Sequence, residues 1–374
     1  MNEQSAAKGP LRGIRVIEFA GLGPGPFASM MLSDMGADVV TITRPGQGKH
    51  DARDFVQRGR RVVELDLKKK DHVQQALDLI AAGDILIEGF RPQVMERLGL
   101  GPDVALKRNP RLVYGRMTGW GQTGPLAFAA GHDINYIAIT GALDSFRSCD
   151  GDTVSPLNLV GDYGGGALYL AVGVLAAVIE ARTSGKGQVV DAAMCDGVTN
   201  MLTLFHSMRA LGLWHEKPRT NMLDGGAHFY RTYECKDGRY MAIGAIEPQF
   251  YAELRKLAGL DEDCFDNQMN REQWPDLQEK MTALFKTKTR DEWTAILEGS
   301  DACAAPVVGM FEAPLHPHLA ARQTFVDVHG GVQPAPAPRF SRTPSAIQGS
   351  PATPPVEAAD ILMQWSEMTA NHVS

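Results

Sequence analysis

The sequence predicts an α/β protein, in which a large domain on a mostly parallel sheet is followed by a smaller α+β domain. Three observations carry that prediction. Short apolar runs alternate with helical patterns over the first hundred residues, the rhythm of βαβ units. Beyond Gly187 the pattern gives way to a polar linker, paired strand patterns and charged helices. From Gly330 prolines recur at 334, 336, 338, 344, 351, 354 and 355, a composition that favours extended chain. At ~100–200 residues per domain, 374 residues allow about two domains.

Residues 14–19 form the first strand, an apolar run ended by a Gly/Pro turn at 21–26. Residues 27–35 read as a helix stopped by Gly36, and 38–42 as the second strand. A third strand over 61–67, a helix over 73–82, and strands over 85–88 and 112–117 follow. Ligands of such sheets gather beyond the carboxyl ends of the strands, which singles out the loops 20–26, 43–47, 89–92 and 118–133. Residues 167–179 form a helix apolar nearly all round, and so expected to be buried. Residues 189–204 are largely apolar and helical in their later part, and 213–226 is a polar stretch containing Pro and Gly. Strand patterns alternate over 230–246 around Lys236-Asp237-Gly238, residues 250–297 are helical and charged, and 358–368 is a closing helix. The expected division is a large domain over 1–200, a linker over 201–226, a small domain over 227–329 and a Pro-rich tail over 330–374. That tail is long enough to pack back on the first domain or on another subunit.

Composition excludes several classes. Hydrophobic residues make up 44% and charged residues 22%, ordinary for a globular protein, and the net charge of −7 gives no electrostatic attraction for nucleic acid. Cys149, Cys195, Cys235, Cys264 and Cys303 are scattered and odd in number, which argues for a reducing compartment and against a disulfide framework or zinc site. Residues 1–10 lack the apolar core of a secretory signal. The longest apolar run, 167–179, ends at Glu180, short of the ~18 residues of a membrane span. The terminal Asn371-His372-Val373-Ser374 is not a peroxisomal signal. The expectation is a cytoplasmic enzyme with neither a nucleic-acid nor a membrane partner.

Gly21-Leu22-Gly23-Pro24-Gly25-Pro26 follows a strand and opens a helix, yet Pro26 stands where the dinucleotide fingerprint wants Gly or Ala. The second strand runs into Arg44 instead of an acidic residue. A guanidinium there suits a ribose phosphate, of NADP or of coenzyme A, and equally suits plain solvent. Gly131-His132-Asp133 precedes Ile134, Ile137, Ala138 and Gly141, which share one helical face. His132 and Asp133 then sit at a helix N-terminus, whose free N–H groups hold a developing oxyanion or are simply capped by Asp133. Asp162 stands in Gly161-Asp162-Tyr163-Gly164-Gly165-Gly166, at the head of the apolar helix. It is either a helix cap or, partly desolvated, an acid, base or nucleophile. Glu247 ends a strand pattern before Pro248. His316-Pro317-His318 brings two imidazoles without a third ligand nearby, so no metal is assigned. No Gly-x-Ser-x-Gly or phosphate-binding Gly-Lys-Ser/Thr loop occurs.

Taken together, several segments resemble the class III CoA-transferase superfamily. They are Leu11-Arg12-Gly13-Ile14-Arg15-Val16-Ile17-Glu18, Gly36-Ala37-Asp38-Val39, Arg91-Pro92 with Leu98-Gly99-Leu100, and the Gly-Gln-Thr-Gly-Pro run from Gly121. Gly187-Gln188-Val189-Val190-Asp191, Asp224-Gly225-Gly226-Ala227 and Arg339-Phe340-Ser341 extend the likeness over nearly the whole chain. Within the superfamily, Gly131-His132-Asp133-Ile134-Asn135-Tyr136 resembles the α-methylacyl-CoA racemase branch. The transferases generally lack the His-Asp pair. They carry a glycine-rich loop roughly where this chain has Gly244-Ala245-Ile246-Glu247-Pro248.

The resemblance implies a Rossmann-like large domain, a smaller α+β domain and an interlocked homodimer, with the tail returning to the large domain. It implies an acid/base pair at His132 and Asp162, supported by Asp133 and Glu247. Around the CoA ester it sets Arg44, Leu65, Asp66, Leu67, Lys68, Gly89, Phe90, Arg91 and Arg97, with Gly131 and Tyr136 also in contact with the substrate. The implied reaction interconverts the epimers of a 2-methylacyl-CoA through an enolate. It uses no cofactor and no metal, because the CoA thioester is itself the substrate. His228, where many relatives have Pro, and a short C-terminus depart from the pattern. CoA transfer with Asp162 as nucleophile, an NADP(H) oxidoreductase resting on Arg44, and a non-catalytic CoA-ester binder stay open as alternatives.

Overall fold

The computed structural model describes residues 8–148 and 150–370. The start of the N-terminal stretch, Cys149 and residues 371–374 lie outside them. The chain forms two compact units. One gathers the residues up to Thr140, Pro156–Met201 and those from His318 on; the other gathers Gly141–Ser155 and Leu202–Pro317.

The first unit is built on six parallel strands: β1 (Arg15–Phe19), β2 (Asp38–Thr43), β3 (Arg60–Glu64), β4 (Ile85–Glu88), β5 (Val113–Thr118) and β6 (Val189–Ala193). Their order, β3-β2-β1-β4-β5-β6, is that of the doubly wound nucleotide-binding folds. Alternate residues serve opposite faces of the sheet. Val16, Val39 and Ile87 join a core with Leu32, Leu170 and Val174; Ile17, Val40 and Leu86 join another with Leu79, Ile80 and Trp365. Strands buried on both faces explain the mostly apolar runs in the sequence, broken by the paired charges Glu18, Arg60, Glu88 and Arg116. The edge strand β6, with exposed Val189 and Asp191, gave no such run, and its place in the sheet was not foreseen.

Helix α1 spans Pro24–Asp34 and so starts before the expected Phe27. Pro24 and Pro26 occupy its first turn, where a missing N–H costs no hydrogen bond. Helices α2 (Lys70–Ala82), α3 (Val94–Arg97), α4 (Pro102–Arg108) and α5 (Asp133–Ala138) follow. A π-helical turn, Leu159–Ala167, then runs straight into α6 (Leu168–Ser184), and α7 covers Met194–Met201. Two expectations need correction here. The joined helix Leu159–Ser184 has 26 residues, long and apolar enough by length and composition alone to cross a bilayer, because the glycine run extends the apolar stretch. Nor is α6 buried all round. Leu170, Val174 and Val178 face the core, while Leu168, Val172 and Ile179 are exposed, the last two by 68% and 69%.

The Pro-rich stretch closes this unit. Gly59 N–H donates to Gly349 O and Val356 N–H to Val62 O, at 3.0 and 2.8 Å. Arg58, ion-paired to buried Asp34, also donates to Gln333 and Pro334 in a hairpin of Phe325–Val328 and Gly331–Pro334. That hairpin is why residues 318–329 join the first unit, where the sequence reading left them in the small domain. In the helix Ala358–Ala370, the Trp365 indole lies between Arg15 and Arg61 and donates to Asp38 Oδ2 at 2.7 Å.

The second unit has an antiparallel sheet of β7 (Tyr230–Glu234), β8 (Tyr240–Gly244) and β9 (Ala304–Pro306). Helices α8 (Pro248–Ala258), α9 (Trp274–Phe285) and α10 (Arg290–Leu297) cover it over a core of Phe229, Leu254, Trp274, Phe285 and Trp293. Residues 141–155, expected within the first domain, belong here, where Arg219 Nη1 donates to Arg147 O at 3.2 Å.

Candidate active site

The reversal of strand order between β1 and β4 opens a crevice at their carboxyl ends, the usual ligand position in such sheets. Two adjoining cavities occupy it. The inner one, about 210 Å³, is lined by Phe19, the 21–26 loop, Ile87, Met117 and Met194, together with His132 and Asp162. The outer one, about 450 Å³, is lined by Gly89, Phe90, Arg91, Trp120, Ala130 and Asn135. Gly131, His132 and Tyr136 border both.

Asp162 lies in the π-helical turn and is only partly exposed. Its backbone N–H donates to Asp133 Oδ2 at 2.7 Å, and its Oδ2 accepts from Asn158 Nδ2 at 3.1 Å. Burial pushes its pKa above the usual carboxylate range. The Asn158 hydrogen bond opposes that, the negative charge of Asp133 adds to it, and His132 lowers it. Two glycines make the geometry possible. A Cβ on Gly161 would stand 2.4 Å from Asp133 Oδ2, and one on Gly23 would stand 2.8 Å from Asp162 Oδ2. Gly23 also holds φ 68° and ψ −117°, a conformation left to glycine. Phe27 of α1 stacks on Tyr163 at 4.2 Å between ring centroids and holds the turn against α1.

His132 is the N-cap of α5, not a turn residue before it, and Asp133 is the first helical residue. The Asn135 side chain accepts the His132 N–H at 3.0 Å. The Asn135 and Tyr136 N–H groups both donate to His132 O, so they are already engaged. Asp133 therefore does not cap its own helix; its carboxylate reaches back to the π-helical turn. The face predicted from Ile134, Ile137, Ala138 and Gly141 is only partly buried. Ile137 is inside with Tyr136, while Ile134 and Ala138 are exposed, because a helix of six residues has room for one inward turn. The Tyr136 hydroxyl donates to Gly131 O, and its ring meets Trp120 edge-on at 4.7 Å. Burial pushes the Tyr136 pKa up, Asp162 adds to this, and Arg91 counters it, so Arg91 acts electrically on the same site.

The residues expected around a nucleotide are placed unevenly. Arg44 is exposed just past β2, and Lys68 is exposed ahead of α2. Arg91 and Arg97 are exposed on either side of α3's first turn. Leu65, in contrast, is buried in the core at 3% exposure, and Asp66 shapes the entry to α2 by accepting the Lys68 N–H. Leu67 packs half-buried on the same core. Glu247 belongs to the second unit, exposed at the N-cap of α8, where its charge pushes the Cys303 thiol upward after burial has done so. His316 Nε2 lies 2.8 Å from Glu298 Oε1, so that imidazole already has a partner.

The family model described as CoA-transferase family III matches residues 11–358. The chain belongs to CoA-transferase family III. It is 44% identical to the α-methylacyl-CoA racemase of mouse, Mus musculus, over 90% of this chain and 87% of that one. Against the human protein of the same name the identity is 43% over the same shares. Among solved structures, a CAIB/BAIF family protein from Brucella suis superposes with a TM-score of 0.79 at 25% identity, over 96% of this chain and 100% of that one.

Some working parts of this family III chain were not foreseen. Asn158 lies four residues before Asp162, a helical spacing that a sequence signal could have flagged. Glu88 ends β4 and Arg116 lies inside β5; their pairing depends on register, which no local pattern displays.

Proposed function

We propose that the chain is a racemase of 2-methylacyl-CoA thioesters, moving the α-proton off one face of the carbon and returning one to the other. The observation that carries this reading is that His132 and Asp162 border one cavity, with the carboxyl group held above its usual pKa range. Inversion needs one proton-loaded and one empty group about the same carbon. An imidazole and a carboxyl group whose pKa burial raises supply that pair, worth typically ~10²–10⁴-fold each. One group takes the proton, the C–H electron pair moves into an enolate, and the other group delivers its proton to the same carbon. The Asp133 N–H is the proposed donor to the enolate oxygen, a type of contact worth about 3–4 kcal/mol.

Asp133 fixes the backbone of Asp162 through the hydrogen bond its carboxylate accepts. Arg44, Lys68, Arg91 and Arg97 are proposed to meet the CoA phosphates, for which guanidinium and ammonium groups are suited. The relatives named as racemases support the substrate class. The reading includes an interlocked cytoplasmic homodimer without a cofactor; exposed Leu168, Val172 and Ile179 on α6 support a covered face.

The test is to incubate one pure epimer of a 2-methylacyl-CoA with the protein in deuterated water, with no acceptor acid present. Deuterium at the α-carbon and drift toward an even epimer mixture are expected. An unlabelled, unchanged thioester would overturn the reading. In that case, turnover on adding a free carboxylic acid would identify CoA transfer through Asp162.

A further inference from the structure

Between β4 and α3 the chain makes the loop Gly89-Phe90-Arg91-Pro92-Gln93, which borders both cavities and carries the exposed Arg91. What holds this loop lies behind it. Glu88, whose side chain is fully buried, accepts the Phe90 N–H on Oε2 at 2.8 Å. Its other oxygen accepts Arg116 Nε at 2.9 Å, from the residue directly opposite on β5. The rest of the guanidinium turns to α3, beyond the loop, and forks onto Glu96 at 2.8 and 3.3 Å. Gly101 leaves the room Glu96 needs, since a Cβ there would come within 2.8 Å of its Cγ. One cation thus ties the residue before the loop to a residue after it.

We propose that Arg116 is a positioning residue, which fixes the 89–93 loop at the span in which Arg91 meets the CoA moiety of the substrate. This rests on the functional reading above, since the CoA ester is what gives the loop a ligand. The physical reason is entropic. A loop with unpinned ends must be ordered when the ligand arrives, and that cost is set against ground-state binding. Of the loop only Gly89, which has no side chain, lines the cavity that holds His132 and Asp162, and none of Glu88, Glu96 and Arg116 does. The expected signature is therefore a binding defect with the chemistry intact.

Two variants test it. Arg116→Lys keeps a charge beside Glu88 but cannot reproduce the fork. Glu96→Gln leaves the buried Glu88–Arg116 pair whole and alters only its half-exposed arm, so it decides the question if Arg116→Lys does not fold. In both, KM for a 2-methylacyl-CoA and the calorimetric Kd for CoA itself should rise about tenfold, with kcat within about threefold. A lowered Tm with unchanged KM and Kd would overturn the proposal, as would a loss confined to kcat. If the wild-type protein binds CoA but exchanges no α-proton, the racemase reading fails while the Kd comparison still judges the clamp.

Discussion

Replacing Gly23 by alanine separates two costs that usually arrive together. At φ 68° and ψ −117° an L-residue is strained, by about 1–3 kcal/mol. The new methyl would also lie 2.8 Å from Asp162 Oδ2, against the roughly 3.4 Å of ordinary contact, so the carboxylate must retreat by about 0.6 Å. That retreat costs little stability, because it moves the end of a side chain. It also pulls against the Asn158 hydrogen bond on the same oxygen. With misplacement costing about 10²-fold per ångström, Gly23→Ala should lower α-proton exchange by about tenfold or somewhat more. Gly13→Ala is the control, since Gly13 has φ 87° but nothing within 4 Å of a Cβ. It should lose similar stability and no activity. Tm and the deuterium-exchange rate, measured on both variants, check this. Full exchange in Gly23→Ala would refute the placement of Asp162 in the reaction.

Three further outcomes follow from the site and its surroundings. His132→Ala and Asp162→Ala should each lower exchange by ~10²–10⁴-fold while CoA-ester affinity stays within a few-fold; full activity in either removes that residue from the chemistry. Asp133→Asn keeps the acceptor for the Asp162 N–H but removes a charge that raises the Asp162 pKa. In the direction where Asp162 takes the proton, the acid limb of the rate profile should therefore move to lower pH, and an unmoved limb counts against the coupling. His228 is fully buried beside the Tyr251 hydroxyl at 2.7 Å, and burial lowers its pKa from 6.5 to about 4. The unfolded chain then binds the extra proton first, so this contribution is whole above pH 6.5 and lost as pH falls toward 4, to a limit of about 3 kcal/mol. The difference in Tm between the wild type and His228→Leu should shrink or invert across that range.

Much of the first unit was legible because strands buried on both faces write themselves as mostly apolar runs, as β1, β2, β4 and β5 do. The His132 and Asp162 pair was legible because each stands at a break in pattern, among glycines or before a helix. The unread parts share a cause. Asp133 serves a backbone N–H 29 residues away, and Arg116 reaches Glu88 on the neighbouring strand and Glu96 in α3, so neither relation leaves a mark at helical or strand spacing. The π-helical turn escaped because a glycine run has no side-chain period to read. Leu65 entered only through the family resemblance, and its side chain is buried in a core cluster that no local pattern marks out.

The first unit is written in three separate stretches of chain, with Leu202–Pro317 spliced between the second and third. All six strands of its sheet are synthesised by Ala193, but the Gln333 that meets Arg58 and the Trp365 that covers Asp38 come only after the whole insert. Arg15 Nη2 and Trp365 O close a span of 350 residues. Loop-closure entropy grows only with the logarithm of length, and an insert that folds first shortens the loop to the distance between its own ends. The second unit thus acts during synthesis as a folded spacer. A slow step within it leaves the flank of the finished sheet bare, with the apolar side chains of β2 and β3 open to other chains until the last helix arrives.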